Sequence, residues 1–525
     1  MRERIVEDWL SRINERGYQA AFGQILAAKG DKVLRMSHSP YEHGKDVLSV
    51  TSAGEVHAYQ LKDGDMGLKE WEKSYAQVCA LVETLPVHPA LPANYIYHPC
   101  LVTNGIFTDP ALDRIHQTNA SWERRGLPKL ELRDGRWMHR ELTSLSTDFW
   151  PINPPDVRLF RALYLVDGRG DFDPQMFARF MRVILVGEFT LSELERRAAA
   201  ANIFCSYILG EFYGKNDYWN ISRGWTMTAA AIACARERAA AESVPMHASF
   251  SLARDAAEVA LNLLSQECRH QDAFKPARLE WDEYTRVRNT VALGAWAAWC
   301  VLNLEDQESS KACVEMIKSF LRNSRIVFWG ESAFPFICSM AWLLEQRDEV
   351  EQSERLLVNW LLAIIDKQQR ESEDPLADPY VSAEDVLKQM AEKVSKDGAS
   401  RRKAIQSYSL FPLVLLLVRR GNRELLSEVW KRLSRITISV FEYDSPADYL
   451  QWTCEKGIER DFIFMQPQSY RELEDLASKP PTHKLPSALR EDPRFRLMFL
   501  LAFPHRLAWS IVGSLDHEFL KKAVA

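Results

Sequence analysis

The chain has 525 residues, of which 46% are hydrophobic and 26% charged, an ordinary balance for a soluble globular protein of about two to four domains. The net charge of −6 gives no overall sign of a nucleic-acid-binding protein, although a local basic groove stays compatible with it. The nine cysteines include no CxxC pair, which argues against a zinc site and favours reduced thiols. The first eight residues lack the apolar core of a signal peptide, and the best apolar run, residues 411–418, is too short to span a bilayer. We therefore predict a cytoplasmic protein without a membrane segment.

The first elements in chain order are a helix, a short strand and a β-hairpin. Residues 20–29 predict the helix, which Gly30 ends, and residues 32–36 predict the strand. Two β-rich runs, 43–50 and 55–62, are separated by a turn that contains glycine, which is typical of a hairpin.

Helices and strands alternate in the rest of the N-terminal part. Apolar residues at three- and four-residue spacing predict a helix over 68–85. A strand is predicted over 95–103, a helix over 109–117 and a last strand over 130–132. This order predicts an α/β domain over residues 1–150, with a small mixed sheet flanked by helices.

A Pro-rich stretch at residues 150–155 predicts a domain boundary. From there the composition is typical of helix after helix, so we predict a large all-α array or bundle over 151–525. An acidic, Pro-containing loop predicts a division of this region near 371–400. Residues 495–515 are predicted to form a buried helix pair.

The hairpin carries the residues with the clearest chemical meaning. Asp46 lies at the start of its first strand, and Gln60-Leu61-Lys62 follows after thirteen intervening residues, at the end of the second. Gln60 and Lys62 share one face because residues two apart on a strand point the same way. The Asp46 carboxylate, the Gln60 amide oxygen and the Leu61 backbone carbonyl suit Mg²⁺ or Mn²⁺. Lys62 would then stabilise charge on a phosphate or act on the attacking water.

Gly44-Lys45-Asp46 and Gln60-Leu61-Lys62 resemble the two strand motifs of the restriction-endonuclease-like, or PD-(D/E)XK, superfamily, and within it the Mrr-like nuclease domains. The resemblance covers roughly residues 18–145. It implies a restriction-endonuclease-like fold and catalytic roles for Asp46, Gln60 and Lys62. It also implies that the first helix turns a Glu or Gln toward the site, and Gln24 is the residue predicted for that role.

The sequence also departs from the family pattern. Lys45 stands where the family has a small or β-branched residue, and Gln at positions 24 and 60 leaves Asp46 as the only predicted carboxylate. Lys45, Lys69 and Lys73 lie close to the motif and are candidate contacts to a nucleic-acid backbone.

Two functions from different classes fit these features. The first is a Mg²⁺- or Mn²⁺-dependent endonuclease, with DNA the favoured substrate, that a helical sensor or oligomerisation domain controls. The resemblance implies a role in bacterial defence against phage or foreign DNA. The alternative is a catalytically weak or inactive nuclease-like protein whose helical domain is an adaptor or scaffold. The chain has no phosphate-binding GxxxxGK[ST] motif, so ATP is not an expected partner.

Overall fold

The computed structural model describes residues 2–36, 45–166, 172–187, 189–239, 244–270, 273–274, 282–323, 326, 328–369, 379–381, 386, 406–453, 458–463 and 470–522. The chain divides into two compact units, Met1–Val259 and Ala260–Ala525. Gly44 and most of the predicted division near 371–400 lie outside the described residues. Within the described part, no helix combines the length and the apolar character that crossing a lipid bilayer requires.

A five-stranded mixed sheet lies in the first unit, with the strand order β1-β2-β3-β4-β5. The strands are β1 (Lys32–Met36), β2 (Val47–Val50), β3 (Val56–Lys62), β4 (Tyr97–Thr103) and β5 (Glu131–Arg133). β1, β2 and β3 pair antiparallel, and β3, β4 and β5 pair parallel. The predicted hairpin is therefore β2–β3, and the prediction of a small mixed sheet near the N-terminus is confirmed.

Helices flank both faces of this sheet. They are α1 (Arg2–Arg12), α2 (Glu15–Ala28), α3 (Leu68–Glu83), α4 (Asp109–Arg124) and α5 (Gly135–Ser146). The predicted helix at 20–29 starts a full turn earlier, because Asn14 caps its first turn by accepting a hydrogen bond from the Gly17 backbone N–H. The predicted helix at 109–117 continues to Arg124.

The alternation of β3 sets which residues enter the core. Val56 and Ala58 are fully buried against α3 and α4, in a cluster that includes Trp71 and Ile115. Because side chains alternate along a strand, Gln60 points to the same face as Ala58, at the end of this apolar layer. The candidate site residues therefore lie where the core meets the end of the sheet.

The first unit continues with α6 (Pro154–Tyr164), α7 (Pro174–Leu185), α8 (Leu191–Gly214), α9 (Tyr218–Ala239) and α10 (Val244–Cys268), the last of which crosses the division between the units. The predicted boundary near residue 150 thus falls inside a compact unit, and it stays a prediction. Trp150 itself is buried, with its ring 5.3 Å from Phe160 and 5.2 Å from Phe204.

The second unit is mostly helical. Its described helices are Asp282–Leu302, Gln307–Arg322, Phe334–Gln346, Val350–Gln369, Leu410–Arg419, Arg423–Leu433, Pro446–Tyr449, Tyr470–Ser478, Ser487–Glu491, Pro493–Ala502 and Trp509–Lys522. The predicted helix pair over 495–515 corresponds to the last two. The prediction of a purely helical region is wrong in one respect, because β6 (Gln406–Ser407), β7 (Thr437–Glu442) and β8 (Ile458–Phe462) form a three-stranded sheet. β6 has only two residues and β8 does not alternate, and the alternation of β7 is limited to its first four residues, Thr437–Val440.

Candidate active site

The two strands of the hairpin bring three predicted site residues into direct contact. Asp46 Oδ2 accepts hydrogen bonds from Gln60 Nε2 at 2.5 Å and from the Leu61 backbone N–H at 2.6 Å. The Asp46 backbone N–H donates to Tyr59 O at 2.8 Å. Asp46 and Gln60 are 7% and 3% exposed, so these bonds form in a largely desolvated setting, where each is stronger than in water.

Helix α2 holds the ends of both strands. Gln19 Nε2 donates to the Asp46 backbone oxygen at 2.9 Å. The Tyr18 hydroxyl donates to Lys62 O at 2.7 Å and accepts from the Lys62 N–H at 3.0 Å. Burial, followed by the nearby Glu15 carboxylate, raises the pKa of Tyr18 well above its usual value, so the hydroxyl keeps its proton for the first of these bonds.

Glu15 is a site residue that the sequence analysis missed. Its Oε2 lies 3.4 Å from Lys62 Nζ, and both side chains are largely shielded from solvent. Burial raises the pKa of Glu15, and the Lys62 ammonium opposes this rise. Asn14 is the residue in the sequence that could have revealed it, because an asparagine is a common helix N-cap. With Asn14 as the cap, Glu15 lies in the first turn of α2, whereas the apolar pattern alone predicts a helix that begins at residue 20.

Gln24 does not join this cluster. Glu15, Tyr18, Gln19 and Phe22 lie three and four residues apart and form the face of α2 turned toward the sheet, whereas Gln24 lies about half a turn away. Its Oε1 accepts a hydrogen bond from Asn202 Nδ2 on α8 at 2.6 Å. The structure therefore turns Gln24 away from the strand ends, which corrects its predicted role, whereas Glu15 on the opposite face of the same helix meets Lys62.

The three lysines predicted to contact nucleic acid lie in different settings. Lys45 is only 4% exposed, and its Nζ donates to Ala80 O of α3 at 3.4 Å. Its ammonium group is thus directed at the end of a helix, which does not fit the surface contact predicted for it. Lys69 and Lys73 are exposed, one turn apart on α3, and remain available to solvent.

The residue types around Asp46 suit a hard divalent cation, which requires that the Gln60 amide, whose Nε2 is turned toward Asp46 and the Leu61 carbonyl, rotates to present Oε1. Gln60 Oε1 is buried and has no hydrogen-bond partner among the described residues, although a buried amide oxygen is costly when left unpaired. The Asp46 carboxylate is the adjacent charged ligand, and the Leu61 carbonyl belongs to the same strand end. These are the ligand types that Mg²⁺ and Mn²⁺ prefer.

A cavity of about 720 Å³ opens at the same edge of the sheet as Lys62. The carboxyl ends of the parallel strands β3, β4 and β5 meet at this edge, where the loops after β3 and β4 are joined by a hydrogen bond from the Gly64 N–H to Asn104 Oδ1 at 2.7 Å. The cavity's lining includes Phe107, Arg133 and Trp137. Clefts outside the carboxyl ends of parallel strands are common ligand sites.

No protein-family model matches the chain, and searches of the curated proteins and of the solved structures give no significant match. The resemblance to Mrr-like nuclease domains therefore rests on the strand motifs of the sequence alone.

Proposed function

We propose that the N-terminal part of this chain is a metal-dependent endonuclease of the Mrr-like type, which hydrolyses phosphodiester bonds in nucleic acid, with DNA the favoured substrate. The observation that carries the proposal is the contact between Asp46, Gln60 and Leu61 on adjacent strands, next to Lys62 at the same strand end. The bonds from α2 to both strand ends make this arrangement rigid, which catalysis by positioning requires.

Each residue has a specific task in this proposal. Asp46 and Gln60 would hold Mg²⁺ or Mn²⁺ through their side-chain oxygens, and Leu61 through its carbonyl. A bound divalent cation polarises the phosphoryl group and lowers the pKa of bound water. Lys62 would place its positive charge near the phosphate oxygens, where charge develops in the transition state. Glu15 orients Lys62 and, because its pKa is raised, is a better proton acceptor than an exposed carboxylate.

The cavity supports a nucleic-acid substrate. Arg133 and Arg136 would contact phosphates, although two aspartates of the same lining offset their charge. Trp137 and Phe107 supply aromatic surface on which a base can stack. Lys69 and Lys73 would extend the contact along the backbone of the substrate.

We propose in addition that the helical region regulates the nuclease or mediates oligomerisation or binding of a protein partner. Support comes from α2, which contacts the site through Tyr18 and Gln19 and contacts α8 through Gln24. Defence against phage or foreign DNA in the bacterial cytoplasm is the role that the resemblance implies.

One observation favours the alternative of a nuclease-like adaptor. Asp46 Oδ2 already accepts two hydrogen bonds, from Gln60 and Leu61, and these close the end of the β2–β3 ladder. A purely structural role would account for these two bonds.

Cleavage assays with matched variants separate the two functions. The full chain is incubated with supercoiled plasmid, linear DNA and RNA in Mg²⁺ or Mn²⁺, beside Asp46→Asn, Lys62→Ala and Glu15→Gln. We expect wild-type cleavage that requires the cation and falls about 100-fold or more in Asp46→Asn and Lys62→Ala.

The control variants are Asp113→Asn and Lys129→Ala, which change the same residue types at exposed positions of α4 and of the loop after it. They should cleave at the wild-type rate, and thermal melting should show that every variant is folded. Equal cleavage by wild type and Asp46→Asn would overturn the proposal. Binding of DNA without cleavage by any form, in either cation, would support the adaptor.

A further inference from the structure

Two histidines and a glutamate lie together on the face of the sheet opposite to Gln60. His57 of β3 and His98 of β4 are direct partners in the parallel register. Their rings are stacked, with 4.5 Å between centroids and 11° between planes. Glu55 immediately precedes β3, and its Oε1 lies 4.0 Å from His98 Nε2. The candidate active site uses none of these side chains.

His98 is oriented by a second carboxylate. Glu131 Oε1 lies 3.3 Å from His98 Nδ1, while the other oxygen of Glu131 accepts a hydrogen bond from Arg133. A carboxylate beside Nδ1 favours the tautomer that carries its proton there, which leaves the lone pair on Nε2. His98 Nε2 is buried, and no described residue offers it a hydrogen bond. This nitrogen therefore faces the space between Glu55 and His57 as an acceptor without a donor.

The remaining features suit a cation. One ligand atom from each of Glu55, His57 and His98 can be chosen so that all three lie within 4.8 Å of one another. Asp31 also acts electrostatically on His57, so a third carboxylate lies near the pair.

We propose that His57, His98 and Glu55 form a binding site for a divalent transition-metal ion of the Zn²⁺ type, with Glu131 as the residue that orients His98. Imidazole and carboxylate ligands suit Zn²⁺, Co²⁺, Ni²⁺ and Cu²⁺ better than Mg²⁺. Three protein ligands leave a coordination position for water, as in catalytic zinc sites. A carboxylate that fixes the second nitrogen of a ligating histidine is the usual support of such sites.

The stacked rings give the proposal a structural consequence. A metal ion lies close to the plane of each imidazole that binds it, so the two rings must tilt away from their parallel arrangement when the ion binds. Since the ligands come from β3, β4 and the turn before β3, the ion would fasten the N-terminal ends of two adjacent strands.

Metal titration of the full chain without a polyhistidine tag tests the site. After treatment with a chelator, Co²⁺ and Zn²⁺ are added and followed by visible absorption, elemental analysis and thermal melting. We expect one equivalent bound at this site, which His98→Ala and His57→Ala abolish. Glu131→Gln should weaken binding about 10- to 100-fold, because it removes only the orienting contact.

Two controls decide where the ion binds. His116→Ala changes an exposed histidine on α4 and should bind as the wild type does. Asp46→Asn should still bind one equivalent of Co²⁺ or Zn²⁺ at this site, so the result does not depend on the nuclease proposal. The proposal is overturned if no stoichiometric ion binds. It is equally overturned if His98→Ala, shown to be folded by circular dichroism, binds the ion as tightly as the wild type.

Discussion

At the scale of single residues, the pair Glu15 and Lys62 defines the chemistry of the candidate active site. The two side chains come from the start of α2 and the end of β3, and their charged atoms are 3.4 Å apart. Desolvation disfavours the ionised form of Glu15, and the Lys62 ammonium compensates only in part, so the pKa of Glu15 is raised. This carboxylate is consequently held in a less stable ionised state than one on the surface.

A pH dependence of stability follows from this shift. A carboxyl group whose pKa is higher in the folded than in the unfolded protein stabilises the fold when the pH is below its unfolded pKa of 4.5. This stabilisation is lost as the pH rises through the higher pKa of the folded state. Glutamine does not titrate. We therefore predict that the free energy of unfolding of Glu15→Gln rises relative to that of the wild type when the pH is raised from about 4 to about 8. Denaturant unfolding at both pH values measures the difference, and Glu123→Gln, exposed on α4, is the control. A difference that does not change with pH would contradict the shift.

At the scale of elements, α2 links the candidate site to the helical part of the first unit. One of its faces holds the strand ends through Tyr18 and Gln19, and another contacts α8 through Gln24. Asn202 of α8 is 1% exposed and donates both to Gln24 Oε1 and to Ser249 O at 2.9 Å. This amide therefore ties α2, α8 and α10 together.

Replacement of Asn202 measures how much its two hydrogen bonds contribute to the stability of the first unit. We predict that Asn202→Ala destabilises the first unit by about 1–3 kcal/mol, because two buried oxygens lose their donor. Under the proposed nuclease function, control of α2 by α8 predicts that the variant also changes the rate of plasmid cleavage. Thermal melting and the plasmid assay measure the two effects, with Ser192→Ala, exposed at the start of the same helix, as control. Melting identical to the wild type would contradict the assigned bonds.

At the scale of the whole molecule, the first compact unit is much larger than the α/β domain that the sequence predicts. Trp9 of α1 packs on Tyr207 of α8, with 5.1 Å between ring centroids, and its indole N–H donates to Ser206 O at 3.0 Å. Helices beyond residue 150 thus cover apolar side chains of the N-terminal part.

Truncation tests whether residues 1–150 fold alone. Uncovering the two large side chains Trp9 and Trp150 costs about 3–6 kcal/mol, a large share of a net stability of about 5–15 kcal/mol. We predict that a fragment of residues 1–150 lacks a cooperative melting transition, whereas a fragment of residues 1–270, which includes all of α10, retains one. Circular dichroism and limited proteolysis provide the measurement. A sharp transition of the shorter fragment, at the melting temperature of the longer one, would establish the boundary near 150 instead.

The sequence by itself determined the elements whose signals are local. Turn residues and the alternation of β2 and β3 are sufficient to predict the hairpin, and the same alternation places Gln60 and Lys62 on one face. The pairing register then brings Asp46 opposite Gln60, so this contact too could be anticipated from the length of the two strands.

Only the tertiary structure decided which residues from distant segments complete the sites. Glu15 meets Lys62 because α2 crosses the end of β3, and Gln24 is turned toward Asn202 because the opposite face of the same helix packs on α8. His57 and His98 become neighbours through a parallel pairing that requires a whole crossover connection. Such contacts depend on how elements pack, which periodicity within one element does not encode.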